Sequence, residues 1–173
     1  GRKSVLIAVD GFVVVAVAMI LKFEDVEISS ALFGSYNYSN IMCAIAVGKY
    51  FGVSNQHIQN AISNYHPENA RSQVIEKNGY QLILDAYNAN PTSMQHALES
   101  FAKSSAKKKI VILGDMFELG VDAPKEHQFI ADLCAHLNFN TIVLVGKEFN
   151  NTITSETVIK FITTDEAKIW FQK

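Results

Sequence analysis

From residue 81 onward the sequence alternates between two kinds of segment. QLIL (81–84), KIVIL (109–113) and TIVLV (141–145) are continuous runs rich in branched apolar residues, and a shorter run lies near Val158 to Ile162. Between them the apolar residues fall at helical spacing: Met94, Ala97, Leu98 and Phe101 after Pro91, then Phe129, Ile130, Leu133 and Leu137. A strand that is apolar on both sides needs cover on both sides, and the intervening amphipathic helices supply it. The pattern predicts a Rossmann-like α/β domain on a parallel sheet, with QLIL as its first strand. A last helix is announced by Thr163 and Glu166 at capping-box spacing.

The region before residue 81 is less regular. VLIAV and FVVVAVAMI suggest one or two buried strands, with Asp10-Gly11 as the turn signal between them. Their apolar stretch, Val5 to Leu21, is broken by Asp10 and lacks the basic start of a secretory leader. Its uninterrupted part, Phe12 to Leu21, is too short to span a bilayer. Asn37 to Phe51 is apolar on nearly every face and stops at Gly52, which predicts a buried helix. Ser54 caps a second helix with Ile58, Ala61, Ile62 and Tyr65 at helical spacing. HPENARSQ (66–73) is polar and aperiodic and reads as a linker.

Composition narrows the function classes. With 173 residues, 49% of them hydrophobic, the chain can bury a core. A formal net charge of −2 provides no general cationic field for nucleic acid, and the run Lys107, Lys108, Lys109 reads as a solvated loop. Cys43 and Cys134 lie far apart in apolar helical surroundings, as buried free thiols of a reducing compartment do. His57, His66, His96, His127 and His136 form no H-x-x-x-H pair, which argues against a metal site; His127, near its helix start, can face the end of the preceding strand.

Two strands end in acidic residues. LILDAYNANPTSM (82–94) places Asp85 at the carboxyl end of the first strand, where open parallel sheets bind ligands. Asn90 is positioned to cap the next helix, and Pro91 suits its first turn. Asp85 either accepts backbone N–H groups in its own turn or holds a pair of ribose hydroxyls. The second strand runs into LGDMFELG (113–120), so Asp115 either projects into the same crevice, joined by Glu118, or only stabilises its own turn. Two carboxylates there can take a cationic amine, a metal ion or sugar hydroxyls. No G-x-G-x-x-G follows a strand, which disfavours a dinucleotide pocket.

GSYNYSNIMCAIAVGKYFG, NARSQ, DAYNANPTSMQHAL and VILGDMFELG, in this order and at these separations, resemble the Mur ligases of peptidoglycan synthesis. Within that family they are similar to the members that add D-alanyl-D-alanine to UDP-N-acetylmuramoyl-tripeptide. The resemblance covers about Gly34 to Gly146. It implies a cytoplasmic ATP- and Mg2+-dependent ligase of three domains working through an acyl phosphate. It also implies that Asn40 contacts adenine, that Arg71 reaches ATP from the C-terminal domain, and that Asp85 holds the ribose. Tyr87, Asn88, Asn90, Ser93 and Asp115 then line the substrate cleft.

By the same resemblance, residues 1–66 are the tail of the central ATP-binding domain and residues 67–173 are most of the Rossmann-like C-terminal domain. No G-x-x-x-x-G-K-[ST] occurs in the sequence, so the phosphate cradle is missing and this chain alone is not expected to ligate. Residues 1–33 are expected to leave an open sheet edge, with poor solubility or self-association through residues 5–21 as the result. Two alternatives stay open: another Mur-type or folylpolyglutamate-type ligase, and a Rossmann-like binding module without ligase chemistry.

Overall fold

The computed structural model describes residues 5–9, 19–68, 70–77 and 79–172, the first five as backbone only. In chain order strand β1 (Val5–Val9) is followed by a first unit made of the hairpin β2 (Met19–Phe23) and β3 (Val26–Ser30) and helices α1 (Asn37–Tyr50) and α2 (Asn55–Ser63). Then come β4 (Gln73–Lys77), β5 (Tyr80–Leu84), α3 (Pro91–Ala102), β6 (Lys108–Gly114), α4 (Ala123–His136), β7 (Thr141–Val145), the single turn α5 (Lys147–Asn150), β8 (Ile159–Phe161) and α6 (Thr164–Phe171).

Six strands form one sheet in the order β4-β5-β1-β6-β7-β8. β6, β7 and β8 are mutually parallel, as the α/β alternation requires. On β7, Ile142 and Leu144 enter the large core with Val111, Phe101 and Ile130, while Val143 and Val145 meet Ala167 of α6 on the other face. Cover on both sides is what the unbroken TIVLV run encodes.

β5 departs from the expected role of a strand with parallel neighbours. It pairs antiparallel with β4 and with β1. The cause is local: Lys77 pairs with Tyr80 across a two-residue turn, and Asn78-Gly79 is the strongest short hairpin signal a sequence offers. β1 also runs against β6, so β5 and β6 still point the same way and end on the same side of the sheet. The expectation of an open edge in residues 1–33 is corrected for Val5–Val9, which is paired on both sides. Phe12 to Ala18, central to the expected self-association, lie outside the described residues.

Three smaller expectations also change. Of the 14 residues of α1 only Asn37, Ile41 and Ile45 are buried, whereas Cys43, Val47, Tyr50 and, just past its end, Phe51 are exposed, so Cys43 is not the buried thiol expected. Phe129 points outward, and His127, Ile130, Ala131 and Cys134 form the inner face of α4. In the lysine run Lys108 as well as Lys109 belongs to β6, and the Lys109 ammonium donates to the Ala102 carbonyl at the end of α3, where a cation suits the exposed carbonyls.

α3 starts as its sequence dictates. The Asn90 side chain accepts from the Ser93 N–H at 2.9 Å, and the Ser93 hydroxyl accepts from the Asn90 N–H at 3.2 Å. Asn90→Ala removes the acceptor and is expected to cost about 1 kcal/mol in a denaturant titration.

Candidate functional site

The β4–β5 ladder pairs Gln73 with Leu84, and the two chains continue side by side beyond it. That continuation brings Ala70, Arg71 and Ser72 against Asp85, Ala86 and Tyr87. The Ala86 N–H donates to the Ala70 carbonyl at 2.7 Å, and the Ser72 N–H donates to Asp85 Oδ1 at 3.2 Å. Ala70 and Ser72 both take positive φ, 56° and 50°, to make the turn. Residues 70–72, read from sequence as part of a linker, are therefore fastened to the strand end that carries Asp85.

Asp85 also receives a partner from the first unit. The Tyr36 hydroxyl donates to Asp85 Oδ2 at 3.4 Å and lies 2.7 Å from Ser72 Oγ. Asn37 Nδ2 donates to Ser72 Oγ at 3.3 Å, and Asn40 Nδ2 donates to Asn37 Oδ1 at 3.0 Å. A carboxylate only accepts, so the arrangement that satisfies each hydroxyl has one direction. Asn40 donates to Asn37, Asn37 to Ser72, Ser72 to Tyr36, and Tyr36 to Asp85. Three separated motifs, YNYSN, NARSQ and LILDAYNAN, are thus joined by one hydrogen-bonded chain.

Burial pushes the Asp85 carboxyl above the usual carboxylate range, against the downward pull of the Ser72 N–H, the Tyr36 hydroxyl and the Arg71 charge. Burial, and then the Asp85 charge, push the Tyr36 phenol far up, so it remains a donor. Because the folded Asp85 pKa exceeds the unfolded one, its contribution to stability is present below the unfolded value and lost as pH rises through the folded value. Once ionised, the carboxylate carries a desolvation cost, as ligand-binding groups often do.

Beside Asp85 a small cleft is rimmed by Asn88 and Ser93 and floored by Met94, Ala97, Leu98 and Leu113. Arg71 and Tyr87 stand exposed at the same strand ends, the guanidinium 3.6 Å from the centre of the ring. The sequence-expected residues Asn40, Arg71, Asp85, Tyr87, Asn88, Asn90 and Ser93 thus gather around β5 and the start of α3. Asp85 bonds to Ser72 across the ladder, not within its own turn as one reading had it.

Asp115 does not join them. It leaves β6 two residues farther along than Asp85 leaves β5, about 7 Å, and two strand spacings, roughly 10 Å, to the side. Its carboxylate is 5% exposed and accepts from the Phe149 N–H at 3.0 Å and the Glu148 N–H at 3.2 Å, at the start of α5. Fully buried His127 stands 3.8 Å away; its Nε2 accepts from the Met116 N–H at 2.9 Å, so Nδ1 carries the proton given to the Ala123 carbonyl at 2.7 Å. The shared crevice is corrected on that side: Asp115 holds the end of β6 to α5, and Glu118 is exposed. Tyr36, Asn37, Ser72 and Gly146 were missed in sequence, although each lies beside a residue or strand end already singled out.

An α/β chain with a parallel β6–β8 sheet, and with a carboxylate, an arginine and an asparagine brought together beside it, calls for comparison with ligand-binding α/β enzymes. The Mur ligase, glutamate ligase domain family matches residues 70–171, and the chain belongs to the Mur ligase family. Its relatives include the UDP-N-acetylmuramoyl-tripeptide–D-alanyl-D-alanine ligase of Treponema pallidum (strain Nichols), 36% identical over 116 residues, covering 67% of this chain and 25% of that protein. The enzyme of the same name from Borreliella burgdorferi is 29% identical over 140 residues, 80% of this chain and 30% of that protein. The chain therefore spans between a quarter and a third of these relatives. The crystal structure of MurF from Acinetobacter baumannii aligns with 85% of this chain and 32% of its own, with a TM-score of 0.70 and 28% identity. MurF of Thermotoga maritima, solved in complex with ADP, shares the fold over 99% of this chain and 40% of its own, with a TM-score of 0.73 and 23% identity.

Proposed function

We propose that this chain is the nucleotide-facing C-terminal part of the ligase that adds D-alanyl-D-alanine to UDP-N-acetylmuramoyl-tripeptide. ATP transfers its γ-phosphoryl group to the tripeptide carboxylate and leaves as ADP; the dipeptide amine then attacks the acyl carbon and loses a proton as phosphate leaves. The observation that carries this reading is the hydrogen-bonded chain from Asn40 to Asp85, with Arg71 fixed beside its end. Asn40 faces the adenine, Asp85 accepts from the ribose hydroxyls, and Arg71 directs its planar set of donors to phosphate oxygens. Tyr87, Asn88, Asn90 and Ser93 border the dipeptide's approach, while Asp115 supports the fold behind it. An acyl phosphate must be kept from water, so a lobe that closes over it serves the chemistry.

Among the described residues no group of three His, Cys, Asp or Glu side chains could hold a metal ion. These residues do not form a cage for Mg2+, and the ion is assigned to the phosphates of ATP, its usual mode of arrival. The sequence holds no Walker lysine, so ligation needs residues beyond these. We assign the enzyme to the cytoplasm, where ATP and the nucleotide-linked precursor meet; no described helix is long and apolar enough to cross a membrane.

Calorimetric titration of ATP tests the site. Asp85→Asn is expected to bind ATP about tenfold more weakly, the scale of one charge-assisted hydrogen bond. It should also unfold no more readily than the parent at neutral pH, since it removes a desolvated charge. Equal ATP affinity in both proteins removes Asp85 from the site. In the full-length enzyme, use of a single amino acid in place of D-alanyl-D-alanine would redirect the reading to another Mur-type ligase.

A further inference from the structure

We propose that Tyr87 is a positioning residue that holds the Arg71 guanidinium over its ring face, leaving the N–H donors to meet an anionic oxygen pair. The inference rests on the ATP reading above and adds how the arginine is aimed.

The geometry fixes Arg71 at both ends. Its backbone is held by bonds on either side, from the Ala86 N–H to the Ala70 carbonyl at 2.7 Å and from the Ser72 N–H to Asp85 at 3.2 Å. Its tip lies over the Tyr87 ring at 3.6 Å from the centroid. Among the described residues the guanidinium makes no hydrogen bond and no close ion pair, and its charge acts on the neighbouring Asp85 carboxyl from farther away. Stacking uses the face of the group and spares its donors, which lie in the plane. A long side chain loses much rotamer freedom on binding an anion, and a ring that holds it in advance lessens that loss. Tyr87 itself is 63% exposed, more than a core aromatic would be, so the fold does not depend on it.

The test combines ATP titration with the Nε–Hε resonance of Arg71, which a ring at this distance shifts away from its free-arginine position. Tyr87→Phe keeps the ring face and is expected to retain both the shift and the affinity. Tyr87→Leu should lose the shift and weaken ATP binding about two- to fivefold, the scale of an exposed cation–π contact. Its thermal midpoint should stay at the parent's value. In the Arg71→Ala background, Tyr87→Leu should cause no further loss. A further loss there would mean that Tyr87 touches the ligand directly, and would overturn the proposal. Parent-like binding by Tyr87→Leu, with weakened binding by Arg71→Ala, would overturn this proposal alone. Unchanged binding by Arg71→Ala would overturn the ATP reading along with it.

Discussion

Gly146→Ala is expected to destabilise the protein by roughly 3 kcal/mol, combining backbone strain with overpacking. Gly146 ends β7 at φ +137°, a conformation close to glycine-only. A Cβ there would stand 2.1 Å from Asp115 Cγ and 2.2 Å from both carboxylate oxygens. Asp115 cannot swing aside, because its oxygens accept from the Glu148 and Phe149 N–H groups and one of them sits 3.8 Å from buried His127. A denaturant titration would register the loss as a lower midpoint at unchanged slope. Asp115→Ala should be destabilising by itself, since it strips two N–H groups at the start of α5 of their acceptor. In its presence Gly146→Ala should cost less, because only the strain remains. An additive cycle would show that the close approach is not what requires the glycine.

The second large effect is expected at Phe101. Its side chain is fully buried in the last turn of α3 and stacks on Phe139 with ring centroids 5.7 Å apart. Phe101→Ala should cost about 3–5 kcal/mol, for lost transfer energy and the cavity left behind. Phe101→Leu, which keeps most of the volume, should cost under half as much. A small effect of the alanine variant would mean that the core collapses into the space.

The sheet and its covering helices were legible in the sequence because each strand and helix carries its own period. Lys108–Gly114, Thr141–Val145 and Thr164–Phe171 appear where branched runs and the Thr163 capping box put them. β4 was overlooked because QVIEK is short and half exposed, although Asn78-Gly79 marked the hairpin. The sequence of α1 is apolar all round and so predicts burial, yet the described residues cover only the side carrying Ile41 and Ile45.

At the site, residue type was legible and partnership was not. Asp85 and Asp115 look alike in sequence, each following a branched strand. What separates them is a contact made much later in the chain, where α5 delivers two N–H groups to Asp115. No local pattern around Asp115 contains that information. Arg71 looked like part of a solvated loop for the converse reason: the bonds that fix it come from the opposite strand.

The one-way run of donors from Asn40 to Asp85 ties α1 to the end of β5. Any donor that docks on Asp85 Oδ2 competes with the Tyr36 phenol for the same oxygen. A displaced phenol can turn back on Ser72, and the reversal stops there, because the Asn37 amide donates to Ser72 in either arrangement. The pair of hydroxyls is thus a hinge that absorbs a change at Asp85 while the asparagines behind it keep their bonds.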